Sequence, residues 1–404
     1  MAGGAASFRP IERADGGRIV IPIAKPVLEE AEAEAARQAV LSGWVTQGPQ
    51  VAAFETEFAA YVGGPHACAV SSCTTALHLA LLAVGVGAGD EVITASHSFI
   101  AGANSIRYCG ATPIFVDIDP RTYNLDPQQV AEAVTPRTRA ILAIHQMGMP
   151  CDLPALLAVA SRHGIALIED AACAAGSEIR VNGNWEPIGR PRGDIACFSF
   201  HPRKVITTGD GGMLTTSNAD YDRAFRLLRQ HGMSIPDTVR HGSPEVIFEE
   251  YPVFGYNYRM TDIQAAIGCK QLERLPELVS RRRALAARYD ELLGNIQELL
   301  LPLEPEWARS NWQSYCVRLP DRVDQKTVMQ ELLDQGIATR RGIMCSHREP
   351  PYADARPHHD LRQSELAQDR AILLPLYAQM TEDEQVTVAK ALRGALHGAR
   401  NSDS

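Results

Sequence analysis

Ala140-Ile-Leu-Ala-Ile144, a helix-patterned run from Leu153 to His163, and Ile165-Ala-Leu-Ile-Glu169 followed by Asp170 decide the fold. Unbroken apolar runs of this length read as strands buried on both faces. The helix between them supplies the crossover that parallel pairing requires. The same alternation extends both ways. Upstream, Ala67-Cys-Ala-Val-Ser71 precedes a helical pattern from Thr75 to Val84, Glu91-Val-Ile-Thr94 leads into Phe99 to Tyr108, and Pro113-Ile-Phe-Val-Asp117 follows. Downstream come Ile195-Ala-Cys-Phe-Ser-Phe200 and Gly212-Met-Leu-Thr-Thr216. The pattern predicts an α/β unit with a mostly parallel sheet held between helices.

From about Pro276 the texture changes. Arg281 to Leu293 reads as a long amphipathic helix, Gln313-Ser-Tyr-Cys-Val-Arg-Leu319 as a strand, and Lys326 to Gln335 and Glu382 to Leu396 as helices. These predict a smaller α+β C-terminal domain. The expected organisation is residues 1–35 packing with the small domain, 36–275 as the large domain and 276–404 as the small one. A length of 404 residues suits two domains.

Composition narrows the partners. Lys and Arg number 39 against 48 Asp and Glu, a net charge of −9, which argues against nucleic acid or an anionic membrane. The start, Met1-Ala-Gly-Gly-Ala-Ala-Ser-Phe-Arg-Pro10, has no secretory pattern, and the apolar run Leu77 to Val86 is too short to span a bilayer. The nine cysteines form no CxxC pair, so neither a disulfide framework nor a metal site is expected. A cytoplasmic location fits best. The tail from Gly398 to Ser404 is expected to fray.

Three stretches carry chemistry. Small hydroxyl residues in Ser71-Ser-Cys-Thr-Thr-Ala-Leu77 stand between a strand and a helix, where amides and the positive helix end suit a phosphate. A simple N-cap by Ser72 or Thr74 explains the same residues. Asp170 follows an apolar strand and is crowded by Ala171, Ala172, Ala174 and Ala175, so its carboxylate calls for a cation such as a protonated pyridine nitrogen. Here too an N-cap is the plain alternative. Lys204, followed by Val-Ile-Thr-Thr-Gly-Asp-Gly-Gly212, suits a Schiff base, with burial and cationic neighbours expected to lower its pKa. A solvated lysine is the alternative, and a Walker loop is excluded because the glycines follow the lysine.

The chain resembles the DegT/DnrJ/StrS group of sugar aminotransferases, within the fold-type-I pyridoxal phosphate enzymes related to aspartate aminotransferase. The motifs run in family order from Pro22 to Leu396: Ser42-Gly-Trp-Val-Thr-Gln-Gly-Pro49 with Phe54-Glu55, Ser72-Cys-Thr-Thr-Ala-Leu77, Gly89-Asp-Glu-Val-Ile93, and Phe115-Val-Asp-Ile-Asp119. Glu169-Asp-Ala-Ala172, Ser199-Phe-His-Pro-Arg-Lys204, Gly209-Asp-Gly-Gly212 and Asn257-Tyr-Arg-Met-Thr-Asp-Ile-Gln-Ala-Ala-Ile-Gly268 complete them. The lysine and Asn257 blocks are the specific ones.

The resemblance implies the cofactor, pyridoxal 5'-phosphate, and a role for each matching residue. Lys204 would hold the cofactor aldehyde and move the proton, and Asp170 would hold the ring nitrogen. Ser199, Cys73 and Thr74 would bind the phosphate, and Phe99 would stack on the ring, although on its own it reads as a core phenylalanine. Asn257 resembles a residue donated across a homodimer interface to the same phosphate. Two departures stand out. Cys173 occupies a position where the family commonly has Gln or His, and Arg340-Arg-Gly-Ile-Met-Cys-Ser-His347 replaces an aromatic, proline-rich stretch.

The implied reaction moves an amino group from glutamate or glutamine to a nucleotide-linked keto-deoxy sugar. Candidate substrate contacts are Thr46, Arg259, Arg341 and His347. A diphosphate needs cations, and Arg229, Arg259, Arg340 and Arg341 are available, each with a solvated surface role as the alternative. Arg281-Arg-Arg283 reads as the wet face of a helix, His145 as structural, and Trp44, Trp185, Trp307 and Trp312 as core or rim residues. Lys204 argues against the relatives that dehydrate keto sugars with a histidine at that position. A keto-cyclitol aminotransferase and an inactive regulatory homologue remain as rival functions. The intact Asp170, Ser199, Lys204 and Asn257 set favour an enzyme.

Overall fold

The computed structural model describes residues 21–236, 239–240, 243–353 and 360–398. The expectations for the first ten residues and for the tail after Gly398 lie outside the described residues. Among these residues the strands are β1 (His66–Val70), β2 (Glu91–Ala95), β3 (Thr112–Val116), β4 (Thr138–Ile144), β5 (Ala166–Asp170), β6 (Glu178–Val181), β7 (Asn184–Pro187), β8 (Ile195–Ser199), β9 (Gly212–Thr216), β10 (Ala308–Arg309), β11 (Tyr315–Arg318), β12 (Arg340–Arg341) and β13 (Ala371–Leu374). The helices are α1 (Glu30–Leu41), α2 (Pro49–Val62), α3 (Cys73–Ala83), α4 (Ala101–Tyr108), α5 (Pro127–Ala133), α6 (Leu153–His163), α7 (Ala219–Leu228), α8 (Asp262–Leu293), α9 (Gln325–Asp334), α10 (Arg362–Arg370) and α11 (Glu382–Gly398).

Seven strands form the central sheet in the order β1-β9-β8-β5-β4-β2-β3. β8, β5, β4, β2 and β3 run parallel, whereas β9 pairs antiparallel with both β8 and β1. The buried Ile, Leu and Ala side chains of β4 alternate between two apolar layers, one on each sheet face. That two-sided burial is why these strands read as unbroken apolar runs. The expected mostly parallel α/β sheet is what forms.

A second core gathers around the sheet β11-β13-β12, with Tyr289, Tyr315, Val317, Ile372 and Leu392 inside it. The chain near its start joins this core: the Ile21 amide donates to the Gly336 carbonyl at 3.1 Å, and the Leu376 amide to the Ile23 carbonyl at 3.2 Å. α8 ties both cores together. Its 32 residues span about 48 Å, starting from a capping box between Thr261 and Gln264. The helix therefore begins well before the expected Arg281, and the change of texture at Pro276 falls inside it. Pro276 removes one helical hydrogen bond, yet Leu272, Leu275, Leu278 and Val279 are buried around it and hold the helix through.

The arginine triplet of α8 departs from the expected wet face. Arg282 is 3% exposed, and its Nη1 donates to the carbonyls of Trp312, Gln313 and Leu376 at 3.0, 3.3 and 3.3 Å. Burial lowers its pKa to about 10. Arg281 and Arg283 also donate to carbonyls, of Ala378 and Ser310, so the triplet fastens α8 to the C-terminal core.

Candidate active site

The site assembles at the carboxyl edge of the central sheet, where ligands of open α/β sheets collect. Asp170 ends β5, Ser199 ends β8, and Gly212 opens β9 opposite both Ser199 and Val70. Just beyond β1, Ser72 caps α3: its hydroxyl accepts from the Thr75 amide at 3.2 Å, and its amide donates to Thr75 Oγ1 at 3.1 Å. Cys73 and Thr74, the first two residues of α3, have amides with no acceptor inside the helix. A Cβ on Gly212 would stand 2.5 Å from the Ser72 carbonyl carbon and 2.8 Å from the Cys73 nitrogen, so β9 approaches the helix start as only glycine permits.

Asp170 is buried. Its Oδ1 accepts from the Ala172 amide at 3.0 Å, and its Oδ2 takes no hydrogen bond among the described residues. Burial pushes this carboxyl above its ordinary value, and the Ala172 amide, Lys204 and His145 offset only part of that. Beneath it lies His145, fully buried. The Cys151 amide donates to His145 Nδ1 at 3.0 Å, which leaves the ring proton on Nε2, donating to Glu169 at 3.0 Å. The His145 amide also donates to the Asp170 carbonyl at 3.0 Å, so a structural histidine fixes the end of β5.

Lys204 reaches back toward β5, and its Nζ donates to Cys173 Sγ at 3.1 Å. The expectation of a depressed lysine pKa is corrected here. Burial does pull it down, but Cys173, Cys73 and Asp170 outweigh that and leave it raised, because the neighbours are acidic instead of cationic. Two loops are held from the far side. Asn311 Nδ2 donates to the Cys173 and Ala175 carbonyls, both at 2.8 Å, and Gln313 Nε2 donates to the Arg203 carbonyl at 2.8 Å. Nothing in the sequence marked Asn311 or Gln313, since a polar residue in a loop carries no sign of what it touches.

The structure thus brings Lys204, Asp170, Cys173, Ser199, Cys73 and Thr74 to one edge. The Cys73 thiol turns inward and donates to the Cys197 carbonyl at 3.7 Å, leaving its amide as the outward group. Among the described residues Ser199 Oγ only accepts, from the His201 amide at 3.4 Å, so its hydroxyl hydrogen is uncommitted there. Phe99 is 69% exposed, which rules out the core alternative.

The remaining candidates lie on surrounding loops. Thr46 is exposed, with its carbonyl accepting from the Asp262 amide at 3.0 Å. Asp262 then caps α2 by accepting from the Gly48, Gln50 and Val51 amides at 2.7, 3.0 and 3.0 Å. Asn257 is exposed, two residues from the bridge that joins Arg259 to Val70, and its Oδ1 accepts from Arg259 Nε at 3.4 Å. Arg341 on β12 lies 3.9 Å from Glu349. His347 has both ring nitrogens engaged: Nδ1 with Ser96 Oγ at 2.6 Å and Nε2 with Glu365 at 3.2 Å. It locks the loop after β2 to α10. Arg229 leaves the candidate list, because it is buried in an ion pair with Glu55 that Arg226 shares. It is neither a surface arginine nor a diphosphate ligand.

The sequence profile of the DegT/DnrJ/EryC1/StrS aminotransferase family matches residues 26–393. The chain belongs to this family. It is 40% identical over 376 residues to a GDP-perosamine synthase of Caulobacter vibrioides, covering 92% of this chain and 97% of that one. It is 38% identical over 385 residues to the spore coat polysaccharide biosynthesis protein SpsC of Bacillus subtilis, covering 94% and 98%. Among solved structures, the aminotransferase TlmJ from Streptoalloteichus hindustanus superposes with a TM-score of 0.86 at 34% identity, covering 94% and 100%. DesV of S. venezuelae, solved with a ketimine intermediate, superposes at 0.83 with 33% identity, covering 93% and 98%.

Aminotransferases of this family use pyridoxal phosphate. The residues present fit it. Among the described residues, one oxygen of a buried carboxylate lacks a partner, two helix-end amides and a serine hydroxyl hydrogen are uncommitted, and a lysine amine stands on the same edge. Among the described residues no cluster of His, Cys, Asp and Glu is fit to hold a metal, and no helix is long and apolar enough to cross a membrane.

Proposed function

We propose that this aminotransferase moves an amino group from glutamate or glutamine onto a nucleotide-linked keto-deoxy sugar, in the cytoplasm and as a homodimer. One observation carries the reading: Lys204 Nζ, the free Asp170 oxygen and the open start of α3 share one sheet edge, in a chain 40% identical to a GDP-perosamine synthase. When bound, pyridoxal phosphate supplies an electron sink and carries the amino group between two half-reactions.

Asp170 Oδ2 would hold the proton on the ring nitrogen, a charge-assisted contact that its desolvated carboxylate favours. Ser199 and the Cys73 and Thr74 amides hold the phosphate, joined by Asn257 of the partner subunit. Phe99 would cover one ring face. Cys173, which accepts from Lys204 Nζ at 3.1 Å, would face the ring's hydroxyl side and keeps Nζ oriented. Lys204 Nζ would hold the cofactor at rest and, once released, would take the proton from the donor's α-carbon and pass it to the cofactor. In the second half-reaction it moves a proton in the opposite sense. Thr46, Arg259, Arg341 and His347 surround the sugar nucleotide.

The homodimer has support in the segment that leads to Asn257. Val246, Phe248 and Phe254 are 84%, 86% and 99% exposed, an apolar stretch that water does not favour and a second subunit would cover. The decisive experiment incubates holoenzyme with glutamate and a panel of keto sugar nucleotides, with detection of amine products by mass. At least one sugar nucleotide should be aminated. Turnover of a keto-cyclitol alone would replace the substrate assignment, and no transfer to any ketone would leave an inactive homologue.

A further inference from the structure

Arg203 stands immediately before Lys204 with its backbone fixed on both sides. Its amide donates to His201 Nδ1 at 3.2 Å and its carbonyl accepts from Gln313 at 2.8 Å. Its guanidinium differs from those of the other inward-facing arginines. Arg229 has Glu55, and Arg282 has three carbonyls. Arg203 has neither: no carboxylate or carbonyl pairs with its guanidinium among the described residues, and its Nε, like that of Arg229, is buried without a hydrogen-bond partner. Arg340, on β12, also has no ion pair among the described residues. Burial lowers the proton affinity of Arg203, Arg340 lowers it further, and Cys173 acts in the opposite sense. Arg340 therefore acts on Arg203 as a like charge, and Cys173, whose sulfur is 3.1 Å from Lys204 Nζ, acts on the same guanidinium. The buried part of the Arg203 guanidinium is costly to leave unpaired, and an oxyanion shared with the exposed Arg340 would relieve it.

We propose that Arg203 and Arg340 form the receptor for a carboxylate of the amino donor, which rests on the aminotransferase reading above. A guanidinium fork accepts a carboxylate through two parallel N–H···O bonds. The oxyanion could instead belong to a phosphoryl group of the acceptor, but connectivity favours the donor. In an α-amino acid the carboxylate is bonded to the very carbon that carries the reacting nitrogen. In a sugar nucleotide the ring separates the ketone from the diphosphate. The position next to Lys204 therefore suits the donor, and fixing the carboxylate there presents the α-proton to Nζ.

The test uses holoenzyme and follows each half-reaction by cofactor absorbance, with glutarate binding measured separately by calorimetry. Arg203→Gln and Arg340→Gln should raise the glutamate requirement of the first half-reaction by about 10–100-fold. Both should also abolish glutarate binding, and Arg203→Lys should recover part of each loss. The second half-reaction, from the aminated enzyme with a keto sugar nucleotide, should suffer far less. Arg340 is exposed, so its variant reports even where Arg203→Gln folds poorly. Variants that lose sugar nucleotide affinity while keeping glutamate and glutarate would place a phosphoryl group at the pair and overturn the proposal. So would variants that change neither. Wild-type holoenzyme that reacts with no amino acid would instead bring down the aminotransferase reading, and the receptor with it.

Discussion

Asp170 carries a charge that its surroundings support only partly. Its carboxyl titrates above the ordinary 3.8 because burial disfavours the ionised form. The cofactor-free native state then holds this proton over a range where the unfolded chain has released it. Stability should therefore fall as pH rises from about 4 through the raised native value. Replacing Asp170 by Asn should remove that slope and leave the cofactor-free protein more stable near neutrality, while turnover drops by about 10²–10³-fold. Thermal melts across the pH range and steady-state rates check both halves, and equal melting of the two proteins at neutral pH would refute the desolvated carboxylate. Asp170 and Lys204 were legible because each follows an apolar strand whose end marks a ligand edge. Arg229 and Arg282 were not. A charged side chain carries no mark of burial, and the partner of Arg229 is Glu55, 174 residues away.

At the scale of elements, the phosphate cradle depends on how closely β9 lies against the start of α3. Gly212→Ala would bring a methyl group within 2.5 Å of the Ser72 backbone, where no flexible side chain can yield. Either α3 shifts outward or β9 loses its register with β1 and β8. The variant should lose about 1–3 kcal/mol of stability and release pyridoxal phosphate more readily, both measurable by chemical unfolding and by cofactor fluorescence. Cofactor retention equal to wild type would show that the helix start is not the cradle. The strands around this contact were legible from their apolar runs, whereas two other features carry weaker marks. Thr261 and Gln264 form a capping box that announces α8, a signal hidden inside the longer block from Asn257 to Gly268. Asn182-Gly183, both at positive φ, is the turn of the β6–β7 hairpin. Its strands are too short and too polar for periodicity to reveal them.

For the whole molecule, the question is whether one chain completes its own site. Asn257 is exposed, beside a run of exposed apolar residues, and its amide nitrogen has no partner among the described residues. A homodimer in which each subunit lends Asn257 to the other accounts for all three features. It also predicts complementation. Lys204→Ala removes the amine from its own site, and Asn257→Ala removes a contact from the opposite one. In a mixed dimer both lesions fall in a single site, and the other site is wild type. Random pairing in a coexpression of equal amounts makes half the dimers mixed, so activity should return to about a quarter of wild type although each variant alone is defective. Were Asn257 to serve its own subunit, each chain of the mixture would carry one lesion in its own site, and coexpression would yield no more than the average of the two variants.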